Sequence, residues 1–367
     1  MSKAAELAAL IGGQKALGHK NLVKNGAMVI AQRATSAASD TTGTVRTVDR
    51  MNPEISSAGT WTQSQSTDVP SGQGFVNSYK LDCTTADASL SAGDVCILGY
   101  RFEGLELQRL NYGTSGAKNI VLSFWVKTNK TGNYVVNFQN IVTGGTNRTC
   151  GKVYTVSQAN TWQKVEFPIA ADTATAFDND TALTAVMYWW LASGTTYTSG
   201  TLSNTWENTT NANVAAGLNV NLADSTDNEW YVTGIQLEEG DVATAFEHED
   251  FGTTLAKCQR YYQRLASDGA YDALMDGMHL VTTQFFAIHS FPTTMRTEPT
   301  MSGSGTFSVL SNGSDKTPDT LIVNRATIDV VQTYSALSGG NVGVAGYAGQ
   351  IRNNNDATTF LDFSAEL

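Results

Sequence analysis

The chain has 367 residues, of which 41% are hydrophobic and only 16% charged, and its net charge is −11. A chain of this length can bury the cores of two or three domains, and its low charge argues against a disordered polymer. Binding to nucleic acid depends mainly on cationic side chains, so no nucleic acid partner is expected. No apolar run approaches the ~20 residues that span a bilayer, so membrane insertion is not expected either.

The first predicted element is a short amphipathic helix over residues 2–11. Leu7, Leu10 and Ile11 recur at helical spacing, and the two glycines that follow would end the helix. An isolated helix of about ten residues is marginal in water, so this apolar stripe needs a partner. We therefore predict that Leu7, Leu10 and Ile11 anchor the chain to another protein, as part of an N-terminal arm over residues 1–50.

Residues 51–250 have the pattern of an antiparallel β-sandwich or barrel. In "IVLSFWVK" (120–127) alternate residues are apolar, which places Ile120, Leu122, Phe124 and Val126 on one face of a strand. Further runs of this kind follow, separated by turns that contain glycine and asparagine. Many short strands with turn signals between them indicate a mainly β fold with little helix.

Helical spacing returns once, in a linking helix predicted over residues 251–266, with Thr253 or Thr254 as its N-cap. Leu255, Cys258 and Tyr262 fall on one stripe of that helix, and symmetric self-association is the commonest way to cover such a stripe. These three residues are therefore predicted to form an oligomer interface. Strand patterns resume afterwards, so residues 267–367 are expected to form a smaller C-terminal β-domain.

Sequence signals for catalysis or metal binding are weak. The four histidines lack the spacing of a zinc site, and neither a Gly-x-Ser-x-Gly elbow nor a phosphate-binding glycine loop is present. The four cysteines include no Cys-x-x-Cys pair, so buried free thiols are expected, although a pairing of Cys83 with Cys96 stays open. We expect no enzymatic activity, no cofactor and no bound metal.

Six carboxylates lie within residues 238–250 with no lysine or arginine among them. Their spacing does not match an EF-hand loop, although a looser calcium site stays open as an alternative. The favoured interpretation is an exposed linker after a strand. Acids at its far end would stabilise the N-terminus of the next helix through the helix dipole.

Aromatic residues alternate with Asn, Ser and Thr in "MYWWLASGTTYTSGTLSNTWENTTNAN" (187–213). A sugar ring has an apolar CH face and a hydroxyl edge, and an aromatic platform beside polar groups suits both. Trp190, Tyr197 and Trp206 are the predicted carbohydrate-binding residues. The alternative is that these side chains fill the core or pack beneath a long loop.

Several segments resemble tail-fibre and related virion proteins of bacteriophages. They include "NLVKNGAMVIAQRATS" (21–36), "SFWVKTNKTGNY", "TVSQANTWQKVEFPIA" and, most specifically, "YVTGIQLEEGDVATAFEHEDFGTTLAKCQRYY". "FPTTMRTEPT" (291–300) and the final "DFSAEL" are similar to the C-terminal module of that family. One departure is Met51 after Asp49 and Arg50, where the family more often has an aromatic residue.

The resemblance implies a jelly-roll sandwich like those of carbohydrate-binding modules, a place in the virion after synthesis in the host cytoplasm, and often a homotrimer. It also implies that residues 234–262 join the sandwich to a distal domain. The expected function is a fibre that projects from the particle and contacts the host surface through weak, multivalent binding to a bacterial glycan. Other virion proteins would hold its N-terminus. The alternatives are an architectural capsid-decoration or tail component without a receptor, and a glycan-degrading virion enzyme.

Overall fold

The computed structural model describes residues 19–43 and 46–367. The predicted helix over residues 2–11 and its anchoring residues Leu7, Leu10 and Ile11 lie outside the described residues. The chain divides into two compact units, the first ending at Thr254 and the second running from Leu255 to Glu366. Both units consist mainly of antiparallel strands, which confirms the predicted fold class.

The first unit is a β-sandwich of two six-stranded antiparallel sheets. Sheet A has the strand order β1-β3-β4-β12-β6-β9, and its strands are β1 (Ser36–Asp40), β3 (Thr60–Ser66), β4 (Ser78–Thr85), β6 (Ile120–Thr128), β9 (Gln163–Ile169) and β12 (Glu229–Glu239). Sheet B has the order β11-β8-β7-β10-β5-β2, and its strands are β2 (Asn52–Ser56), β5 (Val95–Glu103), β7 (Gly132–Asn140), β8 (Arg148–Val156), β10 (Leu183–Ser193) and β11 (Glu207–Asn208). Two single-turn helices, α1 (Gly104–Leu107) and α2 (Thr195–Thr198), interrupt the strands.

The inner faces of the two sheets form one hydrophobic core. As the alternation in β6 predicts, Ile120, Leu122, Phe124 and Val126 are all fully buried. Phe124 meets Trp189 of sheet B edge-to-face, with ring centroids 5.7 Å apart. Aromatic pairs of this geometry add to the free energy gained by burying their area.

The beginning and the end of the sandwich pack against each other. The Asn21 side-chain amide donates to the Ile235 carbonyl (3.0 Å), and its oxygen accepts from the Leu237 amide (3.1 Å). Gly26 approaches so closely that a Cβ there would lie 2.1 Å from the Ile235 oxygen.

Within β12, Gly234 has a φ of +62°, and the bulge beside it shifts the register against β6. Residues before and after this bulge can therefore both face the core.

The linking helix is shorter than the sequence pattern predicts. Helix α3 spans Phe251–Gln259, and its N-cap is Asp250, whose carboxylate accepts from the Thr253 amide (2.9 Å). The prediction of Thr253 or Thr254 as N-cap was wrong, because both lie inside the helix. Residues beyond Gln259 form strand β13 (Tyr262–Ala266) instead of further helix.

Strand β13 replaces the predicted helical turn because it finds a partner about a hundred residues away. It pairs with strand β22 (Phe360–Ser364), and Arg264 forms a bidentate ion pair with Asp362, at 2.7 and 2.8 Å. Cys258 and Tyr262 are both buried within the chain, and Leu255 is half-buried. The predicted oligomer interface is therefore corrected, since two of its three side chains have no surface left to offer a second copy.

The second unit contains a three-stranded and a seven-stranded antiparallel sheet, in line with the predicted C-terminal β-domain. Sheet C has the order β13-β22-β16, where β16 is Thr300–Ser304. Sheet D has the order β18-β17-β21-β14-β15-β20-β19, and its strands are β14 (Ala273–Val281), β15 (Gln284–Ser290), β17 (Phe307–Ser311), β18 (Ser314–Lys316), β19 (Thr320–Ala326), β20 (Val330–Ala336) and β21 (Ala348–Asn353). Phe285, Ala287 and Val331 lie in its core.

All four cysteines are buried free thiols, as expected, and Cys83 is not bonded to Cys96. Burial raises the pKa of the Cys83 thiol to about 11, with the nearby Asp82 carboxylate adding to the effect. Among residues 19–43 and 46–367, no helix is both long and apolar enough to cross a bilayer.

Candidate functional site

The outward face of sheet B is covered by a long excursion of the chain between β10 and β12. This covering segment, residues 194–222, packs Val214 and Ala215 against Ile97, Val135 and Trp190 of the sheet. Its backbone is fixed by bonds such as that from the Ala215 amide to the Tyr197 carbonyl (3.0 Å). This face of the sandwich is therefore occupied by the protein's own chain.

The three predicted carbohydrate-binding residues all belong to this covered region. Trp190 is only 3% exposed, and its indole N–H donates to the Asn137 side chain (2.9 Å). Tyr197 is half-buried and lies against Trp190, with ring centroids 5.4 Å apart. In its present position Trp190 has no ring face that a sugar could reach.

Trp206 has a packing role at the other end of the covering segment. Its ring meets Tyr112 and Phe138 edge-to-face, at 5.7 and 5.8 Å, and its N–H donates to the Ala170 carbonyl (2.6 Å). The side chain is half-buried against the main core. These positions agree with the alternative interpretation, in which the aromatic residues of 187–213 fill the core and pack beneath a loop.

A second group of aromatic residues lies on the face of sheet A that points away from the core, where Trp162 and Trp125 are half-buried and Tyr231 is 6% exposed. Cross-strand pairing places Lys80 opposite Tyr231, and Tyr231 opposite Lys127. Trp162, just before β9, meets Tyr231 edge-to-face, with centroids 6.1 Å apart. These four residues form an outward row across strands β4, β12 and β6 to the start of β9, which we call the sheet A row.

Cations and aromatic rings alternate along the sheet A row. The Lys127 ammonium lies 4.4 Å from the centroid of the Tyr231 ring and 6.0 Å from that of Trp162. Lys80 lies 5.4 Å from the Tyr231 centroid on the other side. An ammonium within about 6 Å of a ring face is attracted by the ring quadrupole, so these contacts hold the long lysine side chains in place.

Carboxylates complete the arrangement around the row. Lys80 bridges Asp82 (3.1 Å) and Glu229 (2.8 Å), and the Tyr231 hydroxyl donates to Glu229 (2.8 Å). Asp68 pairs with Lys127 and accepts from the Trp162 indole N–H, the latter at 2.9 Å. Each polar side chain of the row is therefore held by at least one neighbour.

The pKa shifts follow from these contacts. Burial disfavours the charged form of Glu229, but hydrogen bonds from Lys80 and Tyr231 outweigh it and hold the pKa below its ordinary value. The pKa of Asp68 is lowered in the same way, since bonds from Lys127 and Trp162 outweigh its burial. Burial and the Glu229 hydrogen bond raise the pKa of Tyr231 to about 12. At neutral pH the row therefore presents ionised Glu229 and Asp68 beside a neutral phenol.

Trp125 extends the aromatic surface beside the row. It lies between Thr233 of β12 and Lys164 of β9 in the register of sheet A and is half-buried. The alternation in β6 contained this information, because a strand that turns Phe124 and Val126 inward must turn Trp125 and Lys127 outward. The other members of the row come from distant segments, which only the sheet pairing brings together.

The acidic run of residues 238–250 is distributed among separate partners. Glu238 is buried and accepts from the Thr244 amide (2.8 Å), Glu247 accepts from the Asn21 amide (2.8 Å), and Glu249 pairs with His19 (2.8 Å). Within the described residues, no group of three or more His, Cys, Asp or Glu side chains is arranged to hold a metal ion. Glu238 departs from the predicted exposed linker, because it is a buried part of β12.

A cleft of about 370 Å³ lies beside this run, lined in part by Phe75, Phe246 and His248. The three rings contact one another at 4.9 to 5.2 Å, so they form a packed cluster. The amide and carboxylate groups of Asn21 and Glu247 in its wall are already bonded to the chain. The cleft is therefore best described as part of the joint between the ends of the sandwich.

No protein-family model matches the chain, and no curated protein matches it. Among solved structures, a putative sugar binding protein from Bacteroides thetaiotaomicron is 13% identical, with 60% of this chain and 100% of that chain covered and a TM-score of 0.33. A family 11 carbohydrate-binding module from Clostridium thermocellum, in complex with a mixed-linked tetrasaccharide, is 11% identical over 59% of this chain and 99% of its own, with a TM-score of 0.24.

A phage protein is among the similar structures as well. The enzymatically active domain of tailspike protein 4 from bacteriophage CBA120 is 11% identical, with 60% of this chain covered and a TM-score of 0.32. The match spans only 21% of the tailspike chain. TM-scores below 0.5 do not establish function, so what this chain binds has to follow from its own residues.

Proposed function

We propose that the sandwich binds a glycan on the outward face of sheet A, as the receptor-contacting part of a bacteriophage fibre. The observation that carries the proposal is the sheet A row, in which Tyr231 and Trp162 alternate with Lys80 and Lys127. The half-buried rings of Trp162 and Trp125 would supply a surface for the apolar CH face of a sugar, and Tyr231, which is 6% exposed, would support the two lysines from below.

The polar side chains of the row suit sugar hydroxyls in particular. A hydroxyl both donates and accepts, and the pair of Lys80 and Glu229 offers a donor and an acceptor 2.8 Å apart. Because ion pairs and ring contacts already hold these side chains, little rotamer freedom is lost when a ligand binds. A nucleic acid strand would bind poorly here, since Asp68, Asp82 and Glu229 offset the two lysines.

The electrostatics of the sheet A row favour glycan binding without hydrolysis of the glycan. A glycosidase needs one carboxylic acid that is protonated at working pH, and such acids have raised pKa values. The pKa of Glu229 is shifted the other way, by hydrogen bonds from Lys80 and Tyr231 that outweigh its burial. A glycan-degrading enzyme therefore remains the less favoured alternative.

The virion assignment rests on the resemblance of residues 21–36 and 234–262 to phage fibre proteins. In this chain those two segments pack together, with the Asn21 side chain bonded at Ile235 and Leu237. On a particle, residues 1–18 would anchor the chain to other virion proteins.

Several copies held together raise the effective concentration, so weak single sites can gain ~10²–10⁴-fold in avidity. An architectural component without a receptor is the second alternative.

The test uses clustered protein on host cells and on a glycan array. Trp162→Ala and Tyr231→Ala should each reduce binding at least ~10-fold, the size expected when one good aromatic contact is lost. The matched control is Phe251→Ala, which removes a ring that is 62% exposed and lies outside sheet A. Loss of binding in the control to the same degree, or full binding in both row variants, would refute the site.

The role on the particle is tested separately. Deleting residues 1–18 should leave a folded, glycan-binding protein that no longer enters virions. Normal incorporation of the shortened chain would contradict anchoring by this arm, and glycan binding would then be judged independently of it.

A further inference from the structure

The second unit exposes more large apolar side chains than the sandwich does, and half of them lie at one end of sheet D. Of the fifteen large hydrophobic side chains exposed in the described part of the chain, ten lie between Leu255 and Glu366. Five of these ten are Leu280 (61% exposed), Val281 (43%), Val342 (38%), Val344 (43%) and Tyr347 (47%). Apolar side chains exposed together in this way commonly mark an interaction surface.

The five side chains come from two connections that leave sheet D at the same end, and from the strand end beside them. One connection is the turn between β14 and β15, and the other is formed by residues 337–347 between β20 and β21. Gln284 pairs with Val281 on one side and with Ala336 on the other, which places both connections at one end of the sheet. We call this end, with its five exposed apolar side chains, the apolar tip.

The two connections of the apolar tip are held to each other and to the sheet. The Gly343 amide donates to the Thr282 carbonyl (2.7 Å), which joins the longer connection to the turn. Gly343 is buried against His279, because a Cβ there would lie 2.1 Å from the imidazole ring. Its neighbours Val342 and Val344 are exposed on either side of this fixed point. A loop held in its middle loses little conformational freedom when it binds a partner.

The two stretches of chain that form the apolar tip contain no Asp, Glu, Lys or Arg. They are residues 277–295 and 330–351, which are 19 and 22 residues long, although 16% of the whole chain is charged. On the flanks, Asp319 is exposed, and Lys316 is buried and bonded to serine oxygens. A charged side chain near lipid hydrocarbon costs free energy, whereas protein interfaces usually surround their apolar centre with a polar rim. The absence of charge from these two stretches therefore favours a lipid surface as the partner.

We propose that the apolar tip docks on the surface of a lipid bilayer by inserting its five side chains among the headgroups. This contact goes beyond glycan binding by the sheet A row and does not depend on it. Insertion reaches only the boundary of the acyl chains, about 5–10 Å deep, because the backbone groups of the two connections still need polar partners. Tyr347 would lie at the level of the headgroups, where aromatic rings with a polar end are enriched.

A single tip should bind weakly and should prefer neutral lipid. Even a myristoyl chain gives an association constant of only about 10⁴ M⁻¹, and the side chains of the tip are already partly covered by the protein. Several tips held on one particle would raise the effective concentration. The net charge of −11 is repelled by the negative potential of an anionic bilayer, so acidic lipids should weaken the contact.

The test measures flotation of the full chain with phosphatidylcholine vesicles over a range of lipid concentrations. We expect flotation that rises with lipid and that falls when phosphatidylglycerol replaces part of the phosphatidylcholine. Leu280→Asp and Val344→Asp should each weaken binding ~10-fold or more, because each puts a charge where an apolar side chain inserts. Tyr347→Ala, which adds no charge, should weaken binding as well. The matched control is Ile328→Asp, which adds the same charge at a 42% exposed residue before β20, at the other end of sheet D, and should leave binding unchanged.

Four results would overturn the proposal. They are no flotation at any lipid concentration, binding that requires phosphatidylglycerol, an equal loss in the Ile328→Asp control, and tip variants that adsorb poorly to cells but still bind vesicles fully. The last result would assign the tip to a protein partner. Glycan binding by the Val344→Asp protein should be unchanged, because the sheet A row lies in the other unit. A failure of vesicle binding therefore leaves the proposed glycan site to be judged on its own variants.

Discussion

Lys127 and Tyr231 are cross-strand neighbours on sheet A, and the lysine ammonium lies 4.4 Å from the centre of the phenol ring. The contact fixes a flexible cation over a rigid ring at the centre of a row that ends in Trp162. A similar row of unpaired lysines would attract any polyanion. Here the carboxylates of Asp68 and Glu229, which pair with Lys127 and Lys80, reduce that attraction.

The first prediction separates core tryptophans from surface ones. Trp190→Ala should lower the free energy of unfolding by ~3–5 kcal/mol, since it removes a buried ring and leaves the Asn137 side chain without its donor. Trp162→Ala should cost much less, because that ring is partly exposed. Chemical denaturation of both variants measures the difference, and equal losses would contradict the assignment of Trp190 to the covered face.

The second prediction concerns the joint at Gly26. A Cβ at this residue would lie 2.1 Å from the Ile235 oxygen, so Gly26→Ala should force the N-terminal segment away from β12 and cost ~1–3 kcal/mol. Gly93→Ala is the matched control, because a Cβ at Gly93 meets nothing within 4 Å. Thermal unfolding of the two variants should differ clearly. A Gly26→Ala protein as stable as the control would mean that the segment is not held at this position.

The third prediction concerns pH. The pKa of Glu229 is lowered in the folded chain, so its contribution to stability is fully present above its unfolded pKa and is lost as the pH falls through the folded value. The melting temperature should therefore fall as the pH is lowered from about 5 towards 3. Glu229→Gln removes this proton linkage and should flatten that part of the curve. A curve of unchanged slope in the variant would show that Glu229 does not contribute.

The fourth prediction concerns the start of helix α3. Asp250 accepts from the Thr253 hydroxyl and from the Thr253 amide, and these two bonds, chiefly the one from the hydroxyl, lower its pKa. Asp250→Ala should speed amide hydrogen exchange in the first turn of the helix, whereas Asp250→Asn keeps an N-cap acceptor and should change it little. Equal exchange in the two variants would exclude this capping role.

Period-two alternation was enough to predict much of the sandwich. In β6 it placed Phe124 and Val126 in the core correctly, because side chains of a strand alternate between the two faces of the sheet and only one of those faces meets the core. The same rule misses the phase change in β12, where Gly234 and the bulge beside it allow Ile235 and Leu237 to face the core after Val232. Such a bulge depends on φ values that a hydrophobic pattern does not encode.

Long-range pairing explains the errors at residues 251–266 and in the aromatic segment. Leu255, Cys258 and Tyr262 do have helical spacing, but the ion pair of Arg264 with Asp362 stabilises a strand that local spacing cannot reveal. Likewise, Trp190 sits in an Asn- and Thr-rich region typical of surface loops. Its burial depends on the covering segment folding back over sheet B.

The bond between the Leu22 amide and the Leu237 carbonyl, 2.8 Å long, has a consequence for how this unit can be combined with others. It places the first and last backbone segments of the sandwich side by side. A domain whose entry and exit are adjacent can be inserted into a surface loop of another protein with little distortion of its host. We therefore expect that the sandwich, with its sheet A row, could be inserted into a surface loop of an unrelated protein through two junctions that lie close together.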